Sequence, residues 1–299
     1  MRRTLFSIVF ACCLLAASGT SQAQAANCAI TTHSVKIGNG TIVYNEVGSG
    51  PDILLIHGLF ADKEQWNGLA CLLADAGFTA IAVDLPGYGK SQSFGLADYK
   101  LERQVENLHA LMARLGVAKT DLAGNSMGGA IASLYASRYP GQVRSLAFLG
   151  SPQGITRFDQ GIAAAIYRGI NPFIPVTIAQ LDLELGLLFV TPPQIPLADK
   201  KSIVAGYVAR NRHYVQVWNI VNLYDDVLAR QSPAKTPTLI VWGEDDRVFD
   251  VAGAQKLQRH IPGSELHLLP HAGHLLHLED AAEVAPVYIN FLRPQRQPR

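Results

Sequence analysis

Short, continuous apolar runs alternate with longer segments of helical period along most of this chain. Asp52-Ile53-Leu54-Leu55-Ile56, Thr79-Ala80-Ile81-Ala82-Val83, Ser145-Leu146-Ala147-Phe148-Leu149 and Thr236-Pro237-Thr238-Leu239-Ile240-Val241-Trp242 are too short for helices and almost without polar interruption. That is the pattern of strands buried on both faces. A further strand is expected over Glu265–Leu269. Between these runs the period changes. Helices are predicted from Gln65 to Ala76, from Leu101 to Leu115, from Ala254 to His260 and from Ala281 to Phe291. The second carries Val105, Leu108, Leu111, Met112 and Leu115 on one stripe and stops at Gly116. Ahead of them, Ser34–Ile37 and Thr41–Val47 flank Gly38-Asn39-Gly40 and read as a hairpin. Alternating buried strands and amphipathic helices give an α/β fold: a mostly parallel central sheet with helices on both faces. In such sheets the working loops lie at the carboxyl ends of the strands.

The alternation breaks between Pro152 and Pro233. Proline-punctuated apolar stretches replace it (Pro172-Phe173-Ile174-Pro175-Val176, Leu181 to Val190, Pro192-Pro193-Gln194-Ile195-Pro196), with helices expected around Ser202–Arg210 and Tyr214–Leu228. A structureless loop of that length does not suit a compact domain. Residues 152–233 are therefore expected to form an inserted helical cap over a core made of 26–151 and 234–293, with 294–299 as a frayed basic tail. Leu185, Leu187, Leu188, Phe189, Tyr207 and Trp218 either line an apolar cleft beneath that cap or form the cap's own core.

Composition alters this picture at two points. The 299 residues carry a formal net charge of +1 and no block of Lys or Arg, which excludes a nucleic-acid surface. Arg2-Arg3, the apolar run Leu5–Ala17 and Ala23-Gln24-Ala25 read as a secretory signal peptide over residues 1–25, its apolar part too short for a good membrane span. Export to the periplasm or the medium is expected. Cys28 and Cys71 then remain; they could pair in an oxidising compartment, but no spacing rule joins them and the sequence leaves the pairing open.

The candidate chemistry centres on Leu122–Ala132, a strand end, a sharp turn and a helix start containing Gly124-x-Ser126-x-Gly128. Glycines leave room where strand and helix cross, and the strained turn lifts the Ser126 hydroxyl above the sheet edge. The Met127 amide, at a helix N-terminus, faces whatever Ser126 attacks. A glycine-rich turn that merely contains serine would show the same five residues, so the remainder of the chain must decide. A serine nucleophile needs a base to take its proton, and the base needs a carboxylate to orient it. In this fold type they follow in the order Ser, Asp/Glu, His. Asp246 follows one later strand and His274 the next. Each has neighbours of the same chemistry: Glu244 and Asp245 beside Asp246, His271 and His277 three residues either side of His274. A zinc site built from the three histidines lacks a fourth ligand at any recognisable spacing. His57, at the end of another strand, is read as bracing its loop.

With these motifs the sequence resembles the α/β-hydrolase superfamily over nearly all of the chain beyond residue 25. The matching segments are His57-Gly58, Asp84-x-Pro86-Gly87-x-Gly89-x-Ser91, Gly124-Asn125-Ser126-Met127-Gly128-Gly129, Trp242-Gly243-x-x-Asp246 and Gly273-His274-x-x-His277-x-Glu279. The resemblance selects Asp246 and His274 as acid and base, and places the second oxyanion donor at the amide of Leu59, with Phe60 the alternative. Asp62–Trp66, Pro192–Pro196 and Pro237–Gly243 are similar to bacterial family V lipases and monoacylglycerol lipases. The resemblance thus implies an α/β-hydrolase fold and a serine esterase or lipase with no cofactor and no metal. Action on acylglycerol-like esters of medium or longer chain is expected from it, with transient contact to a lipid surface through the cap. Asn125 and Met127-Gly128-Gly129 are also similar to carbon–carbon bond (meta-cleavage product) hydrolases and perhydrolases, and some proteins of this fold only bind ligand. Leu59-Phe60 stands where the first of those groups carries a Ser/Gly-rich loop.

Overall fold

The structure, a computed structural model, describes residues 28–152, 155, 158–222 and 235–296. The segment read as a signal peptide, the end of the helix expected to reach Leu228 and the last three residues of the tail lie outside the described residues.

Strands β1 (Thr31–Ile37) and β2 (Gly40–Gly48) form the expected antiparallel hairpin, with Ile37 opposite Gly40. β3 (Asp52–Ile56) leads into a 3-10 turn at Lys63–Trp66 and helix α1 (Asn67–Asp75). The sequence predicted one helix from Gln65. The turn precedes it because the Asp62 carboxylate caps Glu64 N at 3.1 Å. β4 (Thr79–Val83), α2 (Leu101–Arg114), β5 (Thr120–Asn125), α3 (Met127–Arg138) and β6 (Val143–Leu149) continue the alternation.

Among the described residues four helices intervene before the next strand: α4 (Gln160–Tyr167), α5 (Ile178–Leu188), α6 (Leu197–Ala209) and α7 (Asn211–Asn222). The sheet resumes with β7 (Thr238–Gly243), α8 (Ala252–His260), β8 (Glu265–Leu269), the short α9 (Leu276–Glu279) and α10 (Ala281–Leu292). Helix α5 was legible only as an apolar stretch and α4 was not foreseen, although each carries an N-cap. Asp159 accepts from Gly161 N at 2.8 Å, and the Thr177 hydroxyl accepts from Gln180 N at 3.2 Å.

The eight strands make one sheet in the order β1-β2-β4-β3-β5-β6-β7-β8. Pairing is antiparallel through β1, β2 and β4 and parallel from β4 to β8. The period of two in β3 divides the core. Leu54 and Ile56 join the apolar layer under α2, α3 and α8, whereas Ile53 and Leu55 join the layer under α1 and α10. A third cluster lies within the insert, built from Ile174, Leu181, Leu185, Phe189, Ile195, Ile203 and Tyr207, and it reaches Leu275, next to His274.

Cys28 and Cys71 are joined in a disulfide. The bond fastens the segment before β1 to α1 and closes the pairing that the sequence left open.

Candidate active site

Where β5 passes into α3, backbone meets backbone with no space for a side chain. A Cβ on Gly128 would lie 2.1 Å from the Ile56 carbonyl oxygen, and one on Gly124 would lie 2.3 Å from the Gly128 carbonyl carbon. This contact presses the start of α3 against the end of β3. Ser126, between the two glycines, adopts φ 51° and ψ −121°, a conformation that L-residues hold only when their surroundings enforce it. It remains partly exposed. The Ser151 hydroxyl donates to the Ser126 carbonyl at 2.7 Å. The buried Asn125 amide donates to Leu149 O at 2.8 Å and to His274 O at 3.1 Å, so the residue before Ser126 also holds the backbone of His274.

His274 and Asp246 meet directly. His274 Nδ1 lies 3.1 Å from Asp246 Oδ2, and both side chains are buried. The other carboxylate oxygen, Oδ1, accepts from Val248 N at 2.8 Å and Phe249 N at 3.1 Å. With Asp246 ionised, the shared proton sits on His274 Nδ1, which leaves Nε2 as a hydrogen-bond acceptor. The neighbouring candidates point elsewhere. Asp245 Oδ2 lies 3.8 Å from His271 Nδ1, and the His271 side chain is 94% exposed. His277 is buried against Trp66, with ring centroids 4.1 Å apart, and burial pushes it down to about 3. The three histidines therefore do not converge on a common point.

The loop after β3 carries Leu59 and Phe60. Phe60 has φ 59°, and among the described residues the Leu59 amide meets no protein acceptor. The Met127 amide is in the first turn of α3, where N–H groups have no partner within the helix. His57 fixes this loop. Its Nε2 accepts from Leu85 N at 3.0 Å, so the ring proton is on Nδ1 and donates to Gly58 O at 2.7 Å. Burial pushes this imidazole down to about 4, which suits a neutral brace rather than a base.

Sequence reasoning missed two features around the site. Lys63, at full burial, reaches Asp84 Oδ2 at 3.1 Å and Glu64 Oε1 at 2.5 Å. A fully buried lysine among carboxyl groups is not foreseeable from periodicity. The second is an aromatic stack: Phe173 on Trp218 at 5.7 Å, Trp218 on Phe158 at 5.8 Å, Phe158 on Phe249 at 5.1 Å, and Phe249 against His274 at 5.5 Å. Of the six residues proposed for a cleft, Leu185, Phe189 and Tyr207 are buried in the insert's own core. Leu187 packs against the main core layer, and Leu188 and Trp218 pack against both that layer and the insert's core.

Comparison with known proteins agrees with this architecture. The chain is 30% identical over 260 residues to Monoacylglycerol lipase ABHD6 of Bos taurus, spanning 82% of this chain and 76% of that protein. It is 29% identical over 260 residues to Lipase 1 of Psychrobacter immobilis, covering 84% and 80% respectively. Among solved structures, a bacterial membrane phospholipase A described as a virulence factor superposes with a TM-score of 0.81. It is 32% identical, with 93% of this chain and 89% of that one covered. The model of the alpha/beta hydrolase family matches residues 53–287, and the chain belongs to that family.

Proposed function

We infer that this α/β hydrolase is an exported serine esterase of lipase type, acting on acylglycerol-like esters of medium or longer chain. The observation that carries the reading is the buried His274–Asp246 pair, in which the His274 carbonyl accepts from Asn125, the residue before the strained Ser126. With Nδ1–H given to Asp246, His274 Nε2 takes the Ser126 proton as Oγ attacks the ester carbonyl. The Met127 and Leu59 amides receive the oxyanion, each such donor lowering the barrier by roughly 3 kcal/mol. The imidazolium then protonates the leaving alcohol. Water, deprotonated by the same histidine, releases the acid and regenerates Ser126.

The substrate class rests on the lipase names of the relatives and on the apolar stack from Phe249 into the insert, a surface suited to an acyl chain. Residues 152–233 act as the cap. Tyr167, Ile170, Val176, Leu183, Leu197, Val208 and Val215, all exposed and all in this insert, are the surface through which it touches lipid. Export is supported by the basic and apolar start of the sequence and by the Cys28–Cys71 bond. No described helix is long and apolar enough to cross a membrane.

The test is hydrolysis of p-nitrophenyl esters from acetate to palmitate, with a monoacylglycerol alongside, by the wild type and Ser126→Ala. Activity peaking at medium or long chains and lost in the folded variant is expected. Substantial turnover by folded Ser126→Ala would overturn the mechanism. Labelling of Ser126 by a fluorophosphonate without hydrolysis of any ester would instead shift the reading to carbon–carbon bond hydrolysis.

A further inference from the structure

One carboxylate outside the Ser126–His274–Asp246 set touches both the main core and the insert. Glu279, at the end of α9, accepts from Gly273 N through Oε2 at 3.0 Å. Through Oε1 it accepts from Val190 N at 2.7 Å and Thr191 N at 3.3 Å. Gly273 immediately precedes His274, and Val190 and Thr191 are the residues by which the chain leaves α5. On the other side of His274, Leu275 N donates to Leu188 O at 3.3 Å. The fit is close, since a Cβ on Gly273 would lie 2.7 Å from Glu279 Oε2 and 3.2 Å from both Leu188 O and Val190 N. Next to Asp246, Arg247 Nη1 donates to Gly186 O at 2.9 Å. Both residues of the His274–Asp246 pair are thus flanked by ties to the stretch from Gly186 to Thr191, and Glu279 is the group that binds both partners of the largest tie.

We propose that Glu279 is a positioning residue that sets His274 in register with Ser126 by clamping the His274 loop to the segment leaving α5, so that seating of the insert and placement of the base are one event. Glu279 touches neither Ser126 nor the His274 ring; it acts through the backbone of Gly273. A carboxylate is the fitting group because three N–H donors converge on its two oxygens, and charge-assisted bonds of this kind are shorter and stronger than neutral ones. Glutamine has a single acceptor oxygen. If that oxygen serves Val190 and Thr191, its NH2 opposes Gly273 N–H, and the reverse orientation opposes the insert.

This inference rests on the reading of Ser126 and His274 as nucleophile and base, and the experiment separates the two. Wild type and Glu279→Gln are compared by circular dichroism, by the second-order rate at which a fluorophosphonate labels Ser126, and by kcat and KM on p-nitrophenyl butyrate per labelled site. A base displaced by about 1 Å loses on the order of 10²-fold in rate. Labelling and kcat are expected to fall by about that factor in folded Glu279→Gln, with KM held within about twofold, as for an interaction expressed in the transition state. Labelling at the wild-type rate in the folded variant overturns the proposal. Should Glu279→Gln fail to fold, Glu279→Asp gives the same reading, since it keeps the charge but is one methylene too short to hold both partners. Labelling needs the base but no ester specificity. It therefore decides the role of Glu279 even if the wild type hydrolyses no ester, a result that would overturn only the substrate class.

Discussion

Lys63 Nζ lies 3.1 Å from Asp84 Oδ2 with both side chains fully buried, and this pair joins the loops after β3 and β4. Asp84 also accepts from Lys63 N at 2.9 Å through Oδ1 and from Lys90 N at 2.8 Å through Oδ2. Together with the bond from Leu85 N to His57, these contacts fix the stretch that presents Leu59 and Phe60. Desolvating two charges offsets most of what their attraction returns, so such a pair specifies a loop position more than it stabilises the fold. Beside it, burial and the charges of Glu64 and Asp84 push Asp62 up to about 8. The neighbourhood thus holds one cation among three carboxyl groups.

Removing that cation is costly. Lys63→Met leaves Asp84 buried without its counter-charge, and breaking such a pair costs about 3–5 kcal/mol. A large drop in the urea midpoint is expected, with part of it recovered in Lys63→Met/Asp84→Asn, where the charge is gone and an oxygen acceptor remains. A single variant as stable as the wild type would show that the ion pair does not anchor the loop.

Asp245 and Asp246 are adjacent in sequence and differ in what they touch, which makes them a matched pair of probes. In Asp246→Asn the side-chain oxygen still accepts from Val248 and Phe249, but its NH2 faces His274 Nδ1. The imidazole is then driven to carry its proton on Nε2, where it cannot act as a base, and kcat should fall by roughly 10⁴-fold. Asp245→Asn, altering a group that among the described residues meets only the exposed His271 ring, should leave kcat within about twofold of the wild type, the usual outcome for a surface change. Esterase assays of the two purified variants check this, and equal losses in both would remove Asp246 from the proposed machinery.

Much of this was legible in the sequence because the physics is local. A buried parallel strand announces itself by a short apolar run, and the approach of α3 to Ile56 demands glycine at Gly128 whatever the wider context. The order of Ser126, Asp246 and His274 at strand ends is likewise a property of the chain. What stayed hidden depends on distant partners. Lys63 is only one position of the Asp62–Trp66 segment until Asp84 is placed beside it, and Glu279 reads as the end of a motif until Val190 and Thr191 arrive from the insert. The insert was hardest to read because α5 and α6 bury only a few residues each, so no regular stripe reaches the sequence. Cys28 and Cys71 are separated by 43 residues, a distance that carries no pairing rule.

Acid should destabilise the fold through two histidines. His57 and His277 are pushed down to about 4 and about 3 by burial, against an ordinary value of 6.5. The folded state therefore binds fewer protons than the unfolded state below about pH 6.5. The stability that both contribute is present above that pH and is lost as pH falls through the folded values. His277 lies on Trp66, and among the described residues neither of its ring nitrogens has a hydrogen-bond partner. His277→Phe should keep the ring contact and flatten the decline between about pH 6 and 4, as read from urea midpoints across that range. A variant curve parallel to that of the wild type would place the acid sensitivity elsewhere.

Alkaline pH should act on the insert through Glu184. This carboxyl group lies on α5 between Leu181 and Leu185, in the insert's apolar core, with Oε2 meeting no partner among the described residues. Burial pushes it up to about 8, only partly countered by a hydrogen bond with Tyr207. Arg210, which like Glu184 acts electrostatically on Tyr207 and Tyr214, donates through Nη2 to the Tyr214 hydroxyl at 2.6 Å. Because the folded value stands above the unfolded one, the contribution of Glu184 to stability is complete below about pH 4.5 and lost as pH rises through about 8. Glu184→Gln removes the titration while keeping the shape, and the cost of burying its amide does not vary with pH. The stability of Glu184→Gln relative to wild type should thus climb between about pH 4.5 and 8 by a few kcal/mol and level off above. Phe60, next to the proposed oxyanion donor, packs edge-on against Tyr214 at 5.0 Å, so wild-type esterase activity should decay faster than that of the variant on incubation above about pH 8. A stability difference that stays constant with pH would mean that Glu184 reaches water or a counter-charge in solution, and that the insert is not held by a neutral acid.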